Sequence, residues 1–479
     1  MTAPQTPTGF AAINIPGSGP PWGSGYGPQF YVDSSWNFRD ENGKIFIPNG
    51  LNFDGLANVT QLPGSTTGNY FYGWPSGAPG TTTLPILSEL NGASGNPRWA
   101  MPTVQMYLSV SGILGLTTYD TNGGGPYVPT LTATQYLTGV AQAIVFFQQN
   151  FNARVWIGVR NNAPRAPCGS FGVQPLMPGN QNTMLDALDG LAAIQSLGNW
   201  FGSPNGSASA LGVNLGGVGL VCYNEPVVGN PASNLNGGNN GIYNGLNGGL
   251  QVGVNCSIAD VWGIIMGTQG YGGYTLQTFS DVSRSGPNGY GTYSYNYPWQ
   301  VAGCQQIINT FRATGACNPI MLDAPNYTNP TSNQTAAYNF GGWQWILNNP
   351  QYLPTDPLTL IPQPGGPPPA SQLCMAWHVY NFTGDSLPGS GTGGAPGNMW
   401  ADFVTLDKTL MPGIIAECGD ADDSGWISPV LTWAANNGIG VIPWSMNPGQ
   451  GYPQLLTSGY QPTNNYGSIV QPATLTWAG

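Results

Sequence analysis

Residues 413–420 read Gly-Ile-Ile-Ala-Glu-Cys-Gly-Asp, an apolar run of strand length that ends at Glu417 and is followed by a turn signal. Residues 218–226 repeat this pattern, because Val-Gly-Leu-Val-Cys-Tyr-Asn leads into Glu225 and then into Pro226. The chain of 479 residues contains only four glutamates. Two of the four therefore end apolar strands, where solubility does not require them, and both are candidates for chemistry.

Apolar runs and helical patterns alternate along the rest of the chain. Eight predicted strands occupy residues 45–51, 103–110, 154–160, 218–223, 319–323, 373–379, 413–417 and 439–444. Predicted helices occupy residues 133–150, 183–201, 299–314, 335–349, 398–411 and 426–437. Most strands precede a helix, which predicts a parallel α/β fold, and the length suits a (β/α)8 TIM barrel whose core needs ~250 residues.

The remaining length is assigned to loops of one domain. We predict a single catalytic domain over residues 1–479, in which the Gly/Pro-rich segment 1–40 wraps the surface. Long Gly/Asn-rich insertions are predicted at residues 54–98, 111–132, 161–182, 227–298 and 382–397. Most of them follow a strand, on the face of a barrel that carries the active site. The largest insertion, 227–298, follows the fourth strand.

Charged residues are scarce, at 6% of the chain against roughly 25% in an ordinary protein. The net charge is −11 and the nine cations are scattered, which argues against nucleic acid as a partner. No apolar run reaches the length of a membrane span, so no membrane partner is expected. We expect a secreted monomer, although the N-terminus shows no secretory signal.

The sparse charge also bears on the working pH. Acid unfolding follows mostly from protonation of carboxylates that are paired in the native state, and this chain has few carboxylates to lose. With every carboxylate neutral, the nine Lys and Arg residues and the single histidine would give a charge of only +10. We therefore expect a protein adapted to an acidic medium; the alternative is a neutral-pH secreted protein with an uncharged polar surface.

Seven cysteines are present, and no spacing among them matches a zinc site. Cys222, Cys374 and Cys418 lie in or beside apolar runs and are predicted to be buried thiols. Two bridges remain open, one between Cys304 and Cys317 and one between Cys168 and Cys256. No metal and no other cofactor is expected.

Two carboxylates can cleave a glycosidic bond when one protonates the leaving oxygen and the other attacks the anomeric carbon across ~5–5.5 Å. Glu225 ends the fourth predicted strand and Glu417 the seventh, on opposite sides of a barrel mouth. Glu225 is predicted to be the acid/base, since the Asn224 amide beside it can hold a sugar hydroxyl and Pro226 turns the chain away. Glu417 is predicted to be the nucleophile. The alternative is a pair of structural or surface glutamates.

Three further residues at strand ends are candidates for substrate binding. His378, the only histidine, and Tyr380 lie two residues apart on the sixth predicted strand, so both face the same side and can donate hydrogen bonds to Glu417. Trp444 ends the eighth strand, where its indole can stack on a sugar ring. The alternatives are an ordinary buried histidine and a core tryptophan.

These motifs together resemble glycoside hydrolase family 5 and its clan of retaining (β/α)8 hydrolases. The resemblance covers Asn-Glu-Pro at 224–226, His-x-Tyr at 378–380, Glu-x-Gly at 417–419 and Trp444 before Ser445. It extends over 43–56 and 312–328, which are similar to the family's first strand and to its passage into the fifth strand. The family implies a glycosyl-enzyme intermediate, no metal, and β-linked polysaccharides such as cellulose or mannan.

The chain departs from the family at two places. Family members carry an arginine late in strand two, beneath the nucleophile, where this chain has Gln105 and no arginine. They also tend to have a histidine after strand three, where this chain has Arg160 followed by two asparagines. Arg160 is therefore the candidate to supply the missing cation.

The resulting expectation is an endo-β-1,4-glucanase acting on cellulose or a related β-glucan. Aromatic residues in the predicted active-face loops, such as Trp74, suit a groove for a polymer. β-Mannanase or xylanase activity is the alternative within hydrolases. A non-catalytic carbohydrate-binding or surface-layer protein is the alternative of another class, and the missing arginine of strand two favours it.

Overall fold

The structure is a computed structural model that describes most of the predicted strands and helices. The described residues are 28–53, 97–115, 118–119, 126–127, 132–160, 187–222, 275–276, 282–283, 292–293, 299–300, 303–323, 343, 346–347, 349–361, 369–381, 388, 399–420, 425–446 and 453–477. The predicted bridge partners Cys168 and Cys256 lie outside this part, as do residues 1–27 and most of the five predicted insertions.

Eight parallel strands form one sheet at the centre of the molecule. They are β1 (Gly50–Phe53), β2 (Thr103–Ser109), β3 (Arg154–Arg160), β4 (Val218–Val221), β5 (Ile320–Asp323), β6 (Leu373–Tyr380), β7 (Gly413–Gly419) and β8 (Gly440–Pro443). Each strand pairs in parallel with the next along the chain, and β8 packs against β1. The predicted (β/α)8 TIM barrel is confirmed.

Strand positions agree closely with the prediction except at the first strand. The prediction of a strand at 45–51 is wrong, because β1 begins only at Gly50 and Ile45 instead bridges Arg39. Pro48 explains the difference, since proline offers no N–H to a strand pairing. Ile45 is consequently 61% exposed, whereas Leu51 in β1 is fully buried.

Helices follow most strands and cover the outside of the barrel. They are α1 (Val110–Leu114), α2 (Ala133–Phe151), α3 (Ala187–Phe201), α4 (Cys304–Ala313), α5 (Met399–Thr409), α6 (Ile427–Asn437) and α7 (Gly467–Trp477). Helix α2 begins with a capping box between Thr132 and Gln135 and ends at Asn152 in the left-handed conformation. No helix in the described part of the chain is long and apolar enough to cross a membrane.

Some helix predictions need correction. Helix α4 begins at Cys304 rather than at 299, because Trp299–Gln300 pairs as a strand with Thr275–Leu276. Helix α7 was not predicted, since Pro472 lies inside it. Of the predicted helix 335–349, helical turns are described only at residues 343 and 346–347.

Short elements complete the described structure. Single turns of 3-10 helix are Ser207–Leu211, Leu215–Gly217, Pro350–Tyr352 and Pro357–Leu360. Short antiparallel pairs are Phe30–Val32 with Phe38–Asp40, Thr118–Tyr119 with Pro126–Tyr127, Thr275–Leu276 with Trp299–Gln300, and Val282–Ser283 with Thr292–Tyr293.

An N-terminal hairpin fills the lower end of the barrel. Of the segment 1–40 that was predicted to wrap the surface, residues 28–40 are described, and they form the antiparallel pair Phe30–Val32 with Phe38–Asp40. Phe30 packs edge-on against Trp156 inside the barrel, with ring centroids 5.0 Å apart. The backbone N–H of Val32 donates to Oε1 of Gln372, just before β6, and the Val32 carbonyl oxygen accepts from Nε2 of the same side chain, both at 2.8 Å. The hairpin is thus part of the inner core.

The cysteines of the described part are all free thiols in buried positions. They are Cys222, Cys304, Cys317, Cys374 and Cys418. The open possibility of a bridge between Cys304 and Cys317 is therefore wrong, and the predicted burial of the other three is confirmed. Burial raises the pKa of Cys317 to about 11, so this thiol stays protonated.

Candidate active site

A β-bulge turns Glu417 into the barrel. Ile414 and Ala416 pack in the barrel interior, whereas Ile415 and Cys418 pack in the layer shared with the helices. Strict alternation after Ala416 would place Glu417 on the helix side. However, Trp377 pairs with Ile415 and His378 pairs with Glu417, so Ala416 is an extra residue in β7. The bulge puts Glu417 on the inner face, where it is only 2% exposed.

The side chain of Asn52 holds this bulge. Asn52 is fully buried in β1, and its Nδ2 donates to the carbonyl oxygen of Ala416 at 2.9 Å and to that of Ile442 at 2.8 Å. These carbonyls belong to β7 and β8. One amide therefore ties three strands together at the residue that precedes Glu417.

Two tyrosines donate hydrogen bonds to the Glu417 carboxylate. The Tyr107 hydroxyl donates to Oε1 at 2.5 Å and the Tyr380 hydroxyl donates to Oε2 at 2.7 Å. Gln105 Nε2 donates to the Tyr107 oxygen at 2.6 Å, which leaves the hydroxyl hydrogen directed at Glu417. Each carboxylate oxygen thus accepts a phenolic hydrogen, an arrangement that stabilises the ionised form and fixes its orientation.

Glycines on neighbouring strands make room for both tyrosine rings. Tyr107 pairs with Gly158 on β3, where an added Cβ would lie 2.7 Å from the Tyr107 ring. Tyr380 pairs with Gly419 on β7, where an added Cβ would also lie 2.7 Å from the Tyr380 ring. Real Cβ atoms do not approach so closely, because interiors are packed at crystal density. The Glu-x-Gly motif therefore supplies both the carboxylate and the space for its hydrogen-bond donor.

His378 lies between two buried carboxylates. Its Nδ1 is 3.3 Å from Glu417 Oε2, and its Nε2 is 3.4 Å from Asp323 Oδ2. Asp323 is the last residue of β5 and is fully buried. Asp323 is not among the site residues predicted from the sequence. The sequence nevertheless contained the signal, because Asp323 is a carboxylate at the end of an apolar strand, as Glu225 and Glu417 are.

A second group of contacts supports the ends of β7 and β8. The Tyr466 hydroxyl, just before α7, lies 2.8 Å from the Cys418 carbonyl oxygen and 2.5 Å from that of Trp444. Burial raises the pKa of Tyr466 well above its usual range, so it remains a donor. Asp420 accepts from Asn381 Nδ2 at 2.5 Å and from the backbone N–H of Trp426 at 2.7 Å.

The predicted site residues fall into two groups. Glu417, His378 and Tyr380 are brought together, and the half-buried Trp444 follows β8 with its ring centroid 5.9 Å from that of Tyr107. Glu225 and Asn224 lie outside the described residues, as does Trp74. Arg160 ends β3 opposite Ser109, but its side chain is outside the described part. Gln105, noted at the place of the family's arginine, contacts Tyr107.

Comparison with solved structures shows the same barrel fold in other proteins. No family model matches the sequence, and no curated protein matches it. The catalytic domain of the major endoglucanase from Xanthomonas campestris pv. campestris is similar with a TM-score of 0.50 and 13% identity, over 94% of this chain and 100% of that chain. An endocellulase from Pyrococcus horikoshii, solved in complex with cellotetraose, is similar with a TM-score of 0.51 and 12% identity, over 95% and 99%. At these identities the likeness establishes a shared barrel fold.

Proposed function

We propose that this protein is a secreted, retaining β-glycoside hydrolase that cleaves a β-1,4-linked polysaccharide, with endo-β-1,4-glucanase as its main activity. The observation that carries the proposal is the Glu417 carboxylate, which a bulge turns into the barrel at the carboxyl end of β7 and which two phenols hold at 2.5 and 2.7 Å. A buried carboxylate with its oxygens individually positioned is suited to attack on carbon.

The reaction would proceed in two displacements. In the first, a Glu417 oxygen attacks the anomeric carbon while Glu225 protonates the departing glycosidic oxygen, so that the carbon–oxygen bond breaks as the glycosyl–enzyme bond forms. In the second, Glu225 takes a proton from water, and the water oxygen replaces Glu417 on the same carbon. Two displacements return the original anomeric configuration. The place of Glu225 in this scheme rests on its position in the Asn-Glu-Pro motif after β4.

The surrounding residues receive supporting roles in this proposal. Tyr107 and Tyr380 keep the carboxylate ionised and oriented before attack, because phenolic donors stabilise its charge. Trp444, half-buried beside the Tyr107 ring, provides an apolar face for a pyranose. Asn224, His378 and Arg160 complete the proposed set of sugar-binding residues.

A glucan is the preferred substrate because two barrels of similar structure are an endoglucanase and an endocellulase, the latter with cellotetraose bound. Mannan and xylan remain the alternatives, since the loops that would discriminate among sugars lie outside the described residues. A polymer of this kind does not enter cells, which supports secretion. The small number of charged residues supports the proposal that the enzyme is stable and active in an acidic medium.

One feature of the sequence favoured a non-catalytic carbohydrate-binding protein, namely the missing arginine of strand two. The structure weakens this alternative, because β2 supplies Tyr107, supported by Gln105, as a direct donor to Glu417.

Hydrolysis of carboxymethylcellulose, mixed-linkage glucan, mannan and xylan between pH 2 and 8 tests the proposal. We expect release of reducing ends from the glucans, with retained configuration when the first product is followed by NMR. Glu417→Gln and Glu225→Gln should each fold and lose nearly all turnover. Glu41→Gln is the matched control, because Glu41 pairs with Arg154 near the start of β3, at the opposite end of the barrel.

Chemical rescue separates the two roles. With azide and an activated aryl glycoside, Glu417→Ala should yield the glycosyl azide of inverted configuration, whereas Glu225→Ala should yield the azide of retained configuration. Binding of glucan without any cleavage by the wild-type protein would refute the enzymatic proposal. Full activity of Glu417→Gln would refute the assignment of the nucleophile.

A further inference from the structure

The ends of three consecutive strands place a carboxylate, an imidazole and a second carboxylate in one row. Asp323 ends β5, His378 lies near the end of β6, and Glu417 lies on β7. The imidazole nitrogens are 3.4 Å and 3.3 Å from the two nearest carboxylate oxygens. All three side chains are almost completely buried.

Each ring nitrogen lies near a buried carboxylate oxygen, an arrangement that favours the doubly protonated ring. A neutral imidazole carries one N–H and presents a lone pair at its other nitrogen, whereas the charged ring donates at both nitrogens. If the ring is neutral, the nitrogen without a hydrogen presents its lone pair to the oxygen of one of the two buried carboxylates. The doubly protonated ring instead offers a proton to Asp323 and another to Glu417, and it leaves one net negative charge in the row rather than two.

The geometry points to Asp323 as a positioning residue that keeps His378 doubly protonated, so that the imidazolium holds Glu417 in its ionised, reactive orientation. This inference rests on the proposed function of Glu417 as the nucleophile. Asp323 would touch neither the sugar nor the reacting atoms, and its effect would pass through the ring of His378.

Among the described residues, the tyrosines that contact Glu417 and the thiol of Cys374 do not oppose the charge on the ring. Tyr380 and Tyr107 reach Glu417 as neutral donors. Cys374, on the same strand as His378, is kept protonated, because burial, with the neighbouring Cys222 and Asp323 adding to it, raises the pKa of the thiol well above its usual range. Within the described part of the chain, Asp323 and Glu417 are the two carboxylates that flank the ring.

The consequence for pH follows from the sign of each charge. The Asp323 carboxylate favours the charged imidazole, so removing it lets His378 release its proton at lower pH. The charged imidazole favours the ionised Glu417, so losing it lets Glu417 take up a proton at higher pH. The ring is still charged at the low pH where Glu417 takes up its proton, so neutralising Asp323 should move the basic limb of the kcat/KM pH profile to lower pH and narrow the profile from that side.

The single histidine of the chain allows a direct measurement. In the untagged full-length protein labelled with 15N-histidine, the two ring nitrogens of His378 give one set of signals whose shifts report protonation. We expect a doubly protonated ring in the wild type at pH 5. In Asp323→Asn, an isosteric variant, the titration should move to lower pH by about 1 to 3 units, the range that a close opposite charge produces.

Kinetics supply the second arm of the experiment. The kcat/KM profile on a soluble glucan should narrow in Asp323→Asn, and this effect should vanish when His378→Gln is the background. Asp40→Asn is the matched control, because the Asp40 carboxylate accepts two backbone N–H bonds in a turn of the N-terminal hairpin, at the opposite end of the barrel from Glu417. Arg160→Gln tests whether Arg160, rather than His378, determines the basic limb of the kcat/KM pH profile.

Defined outcomes overturn the inference. A singly protonated ring in the wild type at pH 5 would do so, even if Asp323→Asn fails to fold. Identical titrations of His378 in both proteins, or narrowing of the profile that persists without His378, would also do so. The NMR result does not depend on turnover. An inactive protein with a charged ring would therefore refute the proposed function, while the inference that Asp323 keeps His378 doubly protonated would stand.

Discussion

Replacement of Tyr107 by phenylalanine removes one hydroxyl and leaves the ring in the space that Gly158 provides. The lost bond joins a phenol to a carboxylate at 2.5 Å. Bonds of this kind, to a charged group, contribute about 1.5–3 kcal/mol. If that energy orients Glu417 in the transition state, kcat/KM should fall by about 10- to 150-fold, since each 1.36 kcal/mol corresponds to a tenfold change in rate.

The same substitution should lower stability by a separate route. Gln105 Nε2 loses its acceptor when the Tyr107 oxygen is removed, and Gln105 is fully buried. An unsatisfied buried donor costs about 1–3 kcal/mol. Urea unfolding monitored by tryptophan fluorescence, together with kinetics on soluble glucan well below the unfolding transition, separates this loss from the catalytic one.

Two variants serve as comparisons for Tyr107→Phe. Gln105→Leu removes the donor behind Tyr107 but retains the hydroxyl that faces Glu417, so its catalytic loss should be smaller. Tyr31→Phe removes a hydroxyl in the hairpin at the other end of the barrel and should leave kcat/KM unchanged. A well-folded Tyr107→Phe protein with wild-type kcat/KM would refute the reasoning that the phenol orients the nucleophile.

Other substitutions test the supports of the site and of the barrel. Asn52→Leu removes the hydrogen-bond donor of the Ala416 and Ile442 carbonyl oxygens. It should lower the free energy of unfolding in urea by about 2–4 kcal/mol and reduce the kcat of the folded protein. Unchanged stability would contradict the role given to this amide. Gly158→Ala should displace the Tyr107 ring and lower kcat/KM, with no further loss when it is combined with Tyr107→Phe; additive losses would argue against this coupling. Asp356→Asn leaves the fully buried Arg312 without its charge partner and should cost about 3–5 kcal/mol of unfolding free energy, and a loss below 1 kcal/mol would show that the pair is dispensable. Burial raises the pKa of Asp407 above its ordinary 3.8, so the contribution of this carboxyl to stability is greatest below that value and is lost as pH rises through the folded pKa; relative to Asp407→Asn, the wild type should therefore lose stability as the pH rises above 3.8, and parallel curves would contradict this.

The barrel could be predicted from the sequence because its strands are apolar on both faces and its helices have regular spacing. Residues 154–160 were placed without error, since an uninterrupted apolar run leaves little choice. The first strand was displaced because the sequence around Pro48 shows apolar character but not which backbone groups are paired. Helix α7 escaped prediction because Pro472 argues against a helix locally, whereas Tyr466 just before it reaches the ends of two barrel strands.

The sequence predicted that Glu417, His378 and Tyr380 lie close together, but it did not predict Asp323 or most of the contacts around Glu417. Glu417 and Tyr380 were recognised by their places at strand ends. The bulge at Ala416 was not, because its cause lies in the side chain of Asn52, more than 360 residues away along the chain. Tyr107 was also not predicted as a donor, because the comparison with the family's strand two concerned Gln105, at the place of the missing arginine. The space for the tyrosine ring is provided by Gly158 on the neighbouring strand, and this pairing is visible only in the structure.

The supports of Glu417 have a consequence for how this protein can change over evolution. Asn52, Tyr107, Tyr380 and Asp323 all belong to strands, and none belongs to the long segments between them. Under the proposed function, insertions and replacements in those segments can therefore alter which sugar is accepted without changing the residues that position Glu417. Exchange of whole connecting segments between relatives offers a practical route to new specificities on an unchanged chemical centre.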